Sequence, residues 1–99
     1  MKYIIREKAN QDIEKTWLYT YKNWSLEQAD RYYNLILDEI EFIAENFESG
    51  KSVDYIKKGY RASVVKSHII FYKKSRKKNI VEIVRILNQK MDIENRMDE

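Results

Sequence analysis

Four side chains of this sequence are of types that could act together on a phosphate group. Arg61 and Arg85 carry guanidinium groups, which can hold phosphate oxygens through two parallel hydrogen bonds. Lys90 adds a third positive charge, and His68, the one histidine of the sequence, has an ordinary pKa of about 6.5, which suits proton transfer. Cations that neutralise a phosphate and a group that moves a proton are the parts needed to break a phosphodiester bond.

Each of these residues also has a purely structural explanation. An arginine among apolar strand residues often buries its hydrocarbon stem and pairs its head with a carboxylate, and Glu82 or an acid on a helix would be a suitable partner. The two explanations are compatible, because an arginine held in place can still meet a carboxylate of a partner protein. For His68, early in a predicted strand, hydrogen bonding to a neighbour or a turn is favoured over catalysis.

The composition gives no basis for metal or disulfide chemistry. The sequence has no cysteine, which excludes a disulfide scaffold and a thiolate metal site. A single histidine without clustered acids does not make a specific metal site. We therefore expect neither a metal nor a cofactor.

Positive charge is concentrated in the second half of the chain. Residues 1–50 carry six Lys or Arg against ten Asp or Glu, whereas residues 51–99 carry thirteen against six. This asymmetry is typical of a surface that meets an anionic partner, although lysines also solvate hairpin edges and prevent sheets from aggregating. The lysine-rich stretch Lys73–Lys78 has both interpretations: contact with a phosphate backbone, or a solvated hairpin tip.

The spacing of apolar residues predicts the elements of the first half. Tyr3-Ile4-Ile5 predicts a short strand, and two helices follow, the second beginning at Ser25 with Gln28 as a capping box. Gly50 is placed to end that helix in the left-handed conformation. Because the joint near Trp24 is short, we expect a helical hairpin with Trp24 as a packing wedge and the aromatic stripe in the core. The predicted apolar positions are Ile13, Trp17, Thr20, Tyr21, Ala29, Tyr32, Tyr33, Ile36, Leu37, Ile40, Ile43, Ala44 and Phe47.

The second half changes to the composition of strands. Segments 60–65, 67–73 and 80–87 are rich in Val, Ile, Tyr and Phe, and Lys66 marks a tight turn between the first two. The last segment is apolar at both odd and even positions, which predicts a central strand covered on both sides. The tail from Met91 is too short and polar for an independent helix but has Met91, Ile93 and Met97 with which to dock. The predicted fold is α+β: a strand, a helical hairpin on one face of the sheet, a three-stranded antiparallel meander and a tail.

The sequence predicts one domain over residues 1–99, since it has no proline and only two glycines from which to build a linker. No apolar run approaches the roughly 20 residues that span a bilayer. The first residues also lack the apolar stretch of a secretory signal. We expect a cytoplasmic protein without membrane contact.

This order of elements resembles the RelE/ParE toxin superfamily, and several strings point to its ParE branch. They are Ala9-x-x-Asp12-Ile13, Tyr19-Thr20, Trp24-Ser25-x-x-Gln28-Ala29-x-x-Tyr32, Gly59-Tyr60-Arg61, Ser67-His68-Ile69-Ile70-Phe71-Tyr72, Ile83-Val84-Arg85-Ile86-Leu87 and Met91-Asp92. Each string alone is weak, but their order and spacing cover nearly the whole chain.

The resemblance implies the toxin of a type II toxin–antitoxin system, held as a hetero-oligomer by a ParD-like or similar antitoxin. It also implies inhibition of DNA gyrase without catalysis, with DNA contacted only through the complex. By the same resemblance, the stretch from Arg85 to Arg96 is expected to bind the target, with Arg85, Lys90, Met91 and Arg96 as its candidate contacts. Arg61 is added as a partner-binding residue because a fixed arginine can meet a carboxylate of the antitoxin.

Two alternatives remain open at this stage. A RelE-like endoribonuclease that cuts messenger RNA on the ribosome would use Arg61, His68, Arg85 and Lys90. In many nuclease members a histidine or tyrosine follows the last strand, whereas this chain has Asn88-Gln89-Lys90, whose amides do not titrate near neutral pH. The third possibility is a relic of the toxin fold that only binds its antitoxin and co-regulates the operon.

Overall fold

The protein forms a mixed five-stranded sheet with a helical hairpin on one face. In the computed structural model, which describes residues 2–76 and 79–97, β1 spans Lys2–Ile5 and the hairpin consists of α1, Glu7–Asn23, and α2, Leu26–Glu45. A 3₁₀ turn, Phe47–Ser49, leads to the remaining elements: β2, Lys51–Ser52; β3, Arg61–Val65; β4, His68–Lys74; β5, Ile80–Asn88; and α3, Ile93–Met97. The predicted α+β fold with its strand, hairpin and meander is confirmed.

The strand order is β1-β5-β4-β3-β2. β1 runs parallel to β5, while the other neighbouring strands are antiparallel. The prediction that the last strand is central is confirmed, because β5 lies between β1 and β4. The sequence analysis missed β2, since two polar residues carry no strand periodicity.

The core between the sheet and the helices is built from the predicted apolar positions. Ser25 begins α2, where its hydroxyl accepts the Gln28 amide at 3.1 Å. The buried residues of this core are Ala9, Ile13, Ile36, Ile40, Ile43, Val65, Ile70, Tyr72, Val81, Ile83 and Ile86. Three aromatic predictions were wrong: Trp24 is 70% exposed and does not act as a wedge, Tyr21 is 48% exposed and Tyr33 is 39% exposed. Trp24 and Tyr21 lie near the hairpin joint.

Gly50 has a different role from the predicted one. α2 ends at Glu45, and Gly50 has a φ of −77°, so it does not adopt the left-handed conformation. A Cβ at this position would collide with the Tyr72 hydroxyl and the Ala62 carbonyl oxygen. Glycine is therefore needed for close approach. The predicted tight turn at Lys66 is confirmed by its positive φ of 54°.

The other face of the sheet is covered in part by the tail. α3 docks through Met97, which is 4% exposed, and through Ile93. Met91 is 41% exposed and does not contribute to this cluster. The other buried residues of the cluster that contains Met97 are Val53, Tyr60, Phe71, Val84 and Leu87. None of the described helices is long and apolar enough to cross a bilayer.

Candidate functional site

Arg85 lies at an irregularity in β5. Phe71 of β4 pairs with Arg85, but Tyr72 pairs with Ile83, so Val84 is an extra residue on β5. Such a bulge bends a strand and changes the direction of the side chains beside it. Arg85 is thereby placed next to the first turns of α1 and the tail.

The guanidinium of Arg85 is engaged inside the protein. Its Nε donates to Asp12 Oδ2 at 2.8 Å and its Nη2 donates to Asp12 Oδ1 at 3.0 Å, and both residues are 8% exposed. Nη1 donates to the Arg96 carbonyl at 3.1 Å, which ties the tail to the pair. The structural explanation therefore applies to Arg85, with a helix acid as its partner. Glu82 instead pairs with Arg6 and Lys73.

Asp12 also completes the edge of β5. The parallel pairing of β1 with β5 ends at Ile83, so the next part of β5 has no strand on that side. The Ile86 amide points to this side and donates to Asp12 Oδ2 at 2.9 Å. The carboxylate thus replaces the missing strand and satisfies a buried N–H that would otherwise destabilise the fold.

His68 joins both helices to the meander. Its Nδ1 lies 2.7 Å from the Tyr32 hydroxyl and its Nε2 lies 3.3 Å from Thr16 Oγ1. The Thr16 hydroxyl also donates to the Asp12 carbonyl at 2.9 Å, and the Tyr32 hydroxyl donates to the Val65 carbonyl at 3.1 Å, so both partners of the ring are themselves held by the backbone. Burial lowers the pKa of His68 and outweighs the Asp12 charge, which raises it. The imidazole therefore serves as a structural connector.

An open cleft of about 490 Å³ lies above His68. Its walls carry exposed apolar side chains: Tyr19 is 66% exposed, Trp24 70% and Met91 41%. The remaining lining residues are Lys15, Thr16, Thr20, Gln28, Tyr32, Ser67 and Asn88. Exposed aromatic and methionine side chains around a polar floor are typical of a protein-binding surface.

Arg61 begins β3, whereas Val65, which pairs with His68, ends it. The Nη2 of Arg61 donates to the Glu48 carbonyl at 3.2 Å and its Cζ lies 5.8 Å from the centroid of the Phe47 ring. Lys74 approaches the same ring, with Nζ 4.9 Å from the centroid. Unlike Arg85, neither Arg61 nor Lys74 has a carboxylate at ion-pair distance among residues 2–76 and 79–97.

Buried Tyr72 holds the 3₁₀ turn that carries Phe47 beside Arg61 and Lys74. Its hydroxyl donates to the Phe47 carbonyl at 2.7 Å and accepts the Gly50 amide at 2.9 Å. Burial raises the pKa of Tyr72, while the Gly50 amide, the charge of Arg61 and interactions of the hydroxyl with the Ser49 and Arg61 side chains act in the opposite direction. The hydroxyl therefore stays protonated at neutral pH and holds the 3₁₀ turn against the sheet.

The remaining predicted residues lie at the end of β5 and in the tail. Lys90 is exposed, and its amide donates to Asn88 Oδ1 at 2.9 Å. Met91 lines the cleft above His68, and Arg96 is exposed while its carbonyl accepts from Arg85. Of the lysine-rich stretch, Lys77 and Lys78 lie outside the described residues.

The predicted phosphate-binding residues do not meet in one place. Arg61 pairs with Tyr72 and His68 pairs with Val65, so about 13 Å of strand separates their backbones. Arg85 is two strands away from Arg61, about 10 Å across the sheet, and its head turns to α1 and the tail. The structure thus separates Arg61, His68 and Arg85 into three environments.

Sequence reasoning missed three residues that determine these environments. Asp12 falls on the helical spacing of Ala9, Ile13 and Thr20, and an acid on a buried helix face is a signal that it pairs with an internal cation. Tyr32 was assigned to the core without a role for its hydroxyl. Lys74 could not be separated from its neighbours in the basic stretch, because no pattern shows which lysine faces the helices.

Residues 3–93 match the sequence family described as ParE toxin of type II toxin–antitoxin system, parDE. Toxin ParE1 of Mycobacterium tuberculosis is 31% identical over 93 residues, which cover 94% of both chains. Toxin ParE1 of Caulobacter vibrioides is 33% identical over 90 residues, which cover 91% of both chains. The chain is thus similar to these toxins over nearly its full length.

A solved structure described as a chromosomal ParDE TA system from P. aeruginosa has the same fold. It superposes with a TM-score of 0.75 at 16% identity and covers 89% of this chain and 95% of that chain. At this identity the match establishes the architecture alone.

Proposed function

The chain belongs to the ParE toxin family of type II toxin–antitoxin systems, and from that membership we propose that it binds DNA gyrase, stabilises its cleaved complex with DNA and thereby arrests growth. A cognate antitoxin neutralises it by forming a hetero-oligomer in the cytoplasm. Family membership over residues 3–93 is the observation that carries this proposal.

The geometry favours binding over catalysis. A nuclease needs cations and a proton-transfer group around one phosphate. Here the guanidinium of Arg85 is engaged by Asp12, and His68 is held between Tyr32 and Thr16. A ribosome-dependent nuclease would have to break these contacts before it could use either residue.

The cleft above His68 supports the capture of another polypeptide. Trp24, Tyr19 and Met91 offer large apolar surfaces that lose contact with water when a partner segment covers them. A helix laid in this cleft or a strand added to the sheet edge is the kind of contact available to an antitoxin. For gyrase, the end of the meander and the tail, from Arg85 to Arg96, are the proposed contact, as the resemblance implies, and Lys90, Met91 and Arg96 are exposed there.

A supercoiling and DNA-cleavage assay with purified gyrase tests the target. We expect the protein to inhibit supercoiling and to increase the linear DNA that is recovered after denaturation. Replacing Lys90, Met91 and Arg96 together by alanine should reduce both effects, whereas Arg76→Ala in the exposed β4–β5 connection should not. If a several-fold excess of toxin leaves supercoiling and cleavage unchanged, the gyrase proposal is wrong.

A second measurement separates the rival activities in growing cells. Gyrase poisoning should produce double-strand breaks and an SOS response before translation declines. Rapid appearance of cleaved messages with intact chromosomes would favour the nuclease instead. Normal growth on strong expression of the free toxin would favour a chain that has kept only antitoxin binding.

A further inference from the structure

Two cations converge on one phenyl ring at the α2–β2 connection. Arg61 and Lys74 come from different strands, and their charged groups lie 5.8 Å and 4.9 Å from the centroid of the Phe47 ring. Contact with the ring leaves both charges without a carboxylate partner among the described residues. A negative group placed beside the ring would supply one.

The hydrogen bonding of Arg61 is incomplete in the free chain. Nη2 reaches a backbone carbonyl, but Nε is shielded from water and has no acceptor within the described residues. A buried donor without an acceptor is unfavourable, so an external oxygen that reached Nε would stabilise the guanidinium. Its planar group can then hold a carboxylate through two hydrogen bonds.

The 3₁₀ turn that carries Phe47, together with the Tyr72 ring, forms the structural base of this region, and it is already ordered. The Tyr72 hydroxyl bridges the Phe47 carbonyl and the Gly50 amide, and the two rings meet edge to face at a centroid distance of 5.4 Å. A ligand that binds here therefore does not have to order the backbone, which favours affinity.

We propose that Arg61 and Lys74, with Phe47 as the base between them, form a receptor for an Asp or Glu side chain of the antitoxin. This inference rests on the proposed antitoxin binding and names the chemistry of one contact in it. Phe47 and Lys74 line a shallow depression of about 470 Å³ together with Asn46, Glu48 and Ser49, and Arg61 adjoins it through its contact with the Phe47 ring. A single carboxylate on a flexible side chain fits such a depression.

The surroundings favour a polypeptide over a nucleic acid as the source of the negative charge. Glu48 lines the same depression, and its negative charge would repel the many closely spaced phosphates of a duplex more strongly than a single carboxylate. The adjacent edge of β3 is also open. β2 pairs only with Arg61 and Ala62, and Val64 beyond it is 61% exposed. An extended segment could continue the sheet there and place its acid against Arg61.

Affinity measurements with the cognate antitoxin test the receptor. Arg61→Gln should weaken binding roughly tenfold to hundredfold, and Lys74→Gln about threefold to tenfold, with a shallower salt dependence in both. Arg76→Gln is the matched control, since it removes an exposed cation outside the depression and should leave the affinity unchanged. Arg61→Lys should recover part of the loss because it keeps the charge without the two parallel hydrogen bonds.

The possible results separate this inference from the proposed function. If wild-type toxin binds the antitoxin tightly while the Arg61 and Lys74 variants bind equally well, the receptor is wrong and antitoxin binding stands. If wild-type toxin does not bind the antitoxin at all, both fail. A 20-base-pair DNA duplex is the second probe: a loss of duplex binding in the two variants with unchanged antitoxin affinity would assign the site to phosphate instead. Lys74 is exposed, so Lys74→Gln remains informative even if Arg61→Gln unfolds the chain.

Discussion

The regions around Arg85 and Arg61 show how differently one fold can treat the same side chain. Arg85 is 8% exposed, and it donates to both oxygens of Asp12 and to the tail. Arg61 is half-buried and donates to one backbone carbonyl, and its Nε–H has no acceptor among the described residues. Arg85 thus finds its carboxylate inside the chain, whereas the proposed receptor gives Arg61 one from a partner.

The difference arises from where the chain places its acids. α1 crosses beside β5 with Asp12 on its buried face, so Arg85 finds a carboxylate at the point where β1 ends. At the other end of the sheet, the 3₁₀ turn offers Arg61 a backbone oxygen and an aromatic ring instead. A cation without an internal acid beside an ordered base is a better guide to partner binding than exposure alone.

The strongest test of this comparison is to break the Arg85 pair from one side. Arg85→Met keeps the apolar stem but leaves Asp12 as a buried charge without its cation, and we expect the free energy of unfolding to fall by about 3–5 kcal/mol. The matched change Arg61→Met should cost less than about 1 kcal/mol, because it leaves no buried carboxylate behind. Urea titration with linear extrapolation measures both.

The double variant Asp12→Asn with Arg85→Met sharpens the result. Removing both charges should cost less than Arg85→Met alone, since no unpaired charge remains and the asparagine oxygen can still accept from the Ile86 amide. If Arg85→Met and Arg61→Met lowered the free energy of unfolding equally, the proposed difference between the Arg85 and Arg61 regions would be wrong.

A smaller effect is expected at the base of the Arg61 region. Tyr72→Phe removes the hydroxyl that bonds Phe47 and Gly50 and leaves the buried Gly50 amide without its acceptor. We expect a loss of about 1–3 kcal/mol in unfolding free energy. Tyr19→Phe removes the same atom from an exposed ring and should stay within about 0.5 kcal/mol of wild type. A neutral Tyr72→Phe would mean that the base is not held by this hydroxyl.

Tyr72→Phe should also lower antitoxin affinity, provided that the ordered base matters for the proposed receptor. Isothermal titration calorimetry is suitable, because added disorder in the free toxin makes the binding entropy less favourable. Unchanged affinity with reduced stability would confine Tyr72 to a structural role.

Much of the fold was predictable because the local signals agreed with one another. The helical hairpin was predicted by the 3.6-residue spacing before Gly50 and by the capping Ser25. The meander was predicted by the strand-like composition after Gly50, and its central strand by apolar residues at both odd and even positions of segment 80–87. The exposure of Trp24 was not predictable, since periodicity places a residue on a face but does not show how far the opposite layer extends. Gly50 was misjudged because a close approach by Tyr72, 22 positions away, cannot be read locally.

The candidate site was less accessible to sequence reasoning than the fold. The pairing of Arg85 with a helix acid was among the alternatives, but its identity depends on a contact over 73 positions and on the extra residue at Val84. Likewise, the convergence of Lys74 and Arg61 on Phe47 follows from strand register, which alternation alone does not determine.

His68 is less buried than Arg85 but more fully hydrogen-bonded than Arg61, and its titration gives the smallest expected effect on the free energy of unfolding. Its pKa in the folded chain is lowered by burial, so between its ordinary value of about 6.5 and that lower value the unfolded chain binds more protons than the folded one. The folded state should therefore lose stability as the pH falls through this window, and keep the full contribution of a neutral His68 above about pH 6.5. His68→Gln offers the Tyr32 and Thr16 hydroxyls one amide donor and one amide acceptor without a titrating group, so its unfolding free energy should depend less on pH over the same range. Parallel urea titrations from about pH 7.5 to about pH 5.5 compare the two slopes. A wild-type protein that gained stability relative to His68→Gln on acidification would show that the Asp12 charge outweighs burial, and His68 would then belong with Arg85 as a cation paired inside the chain.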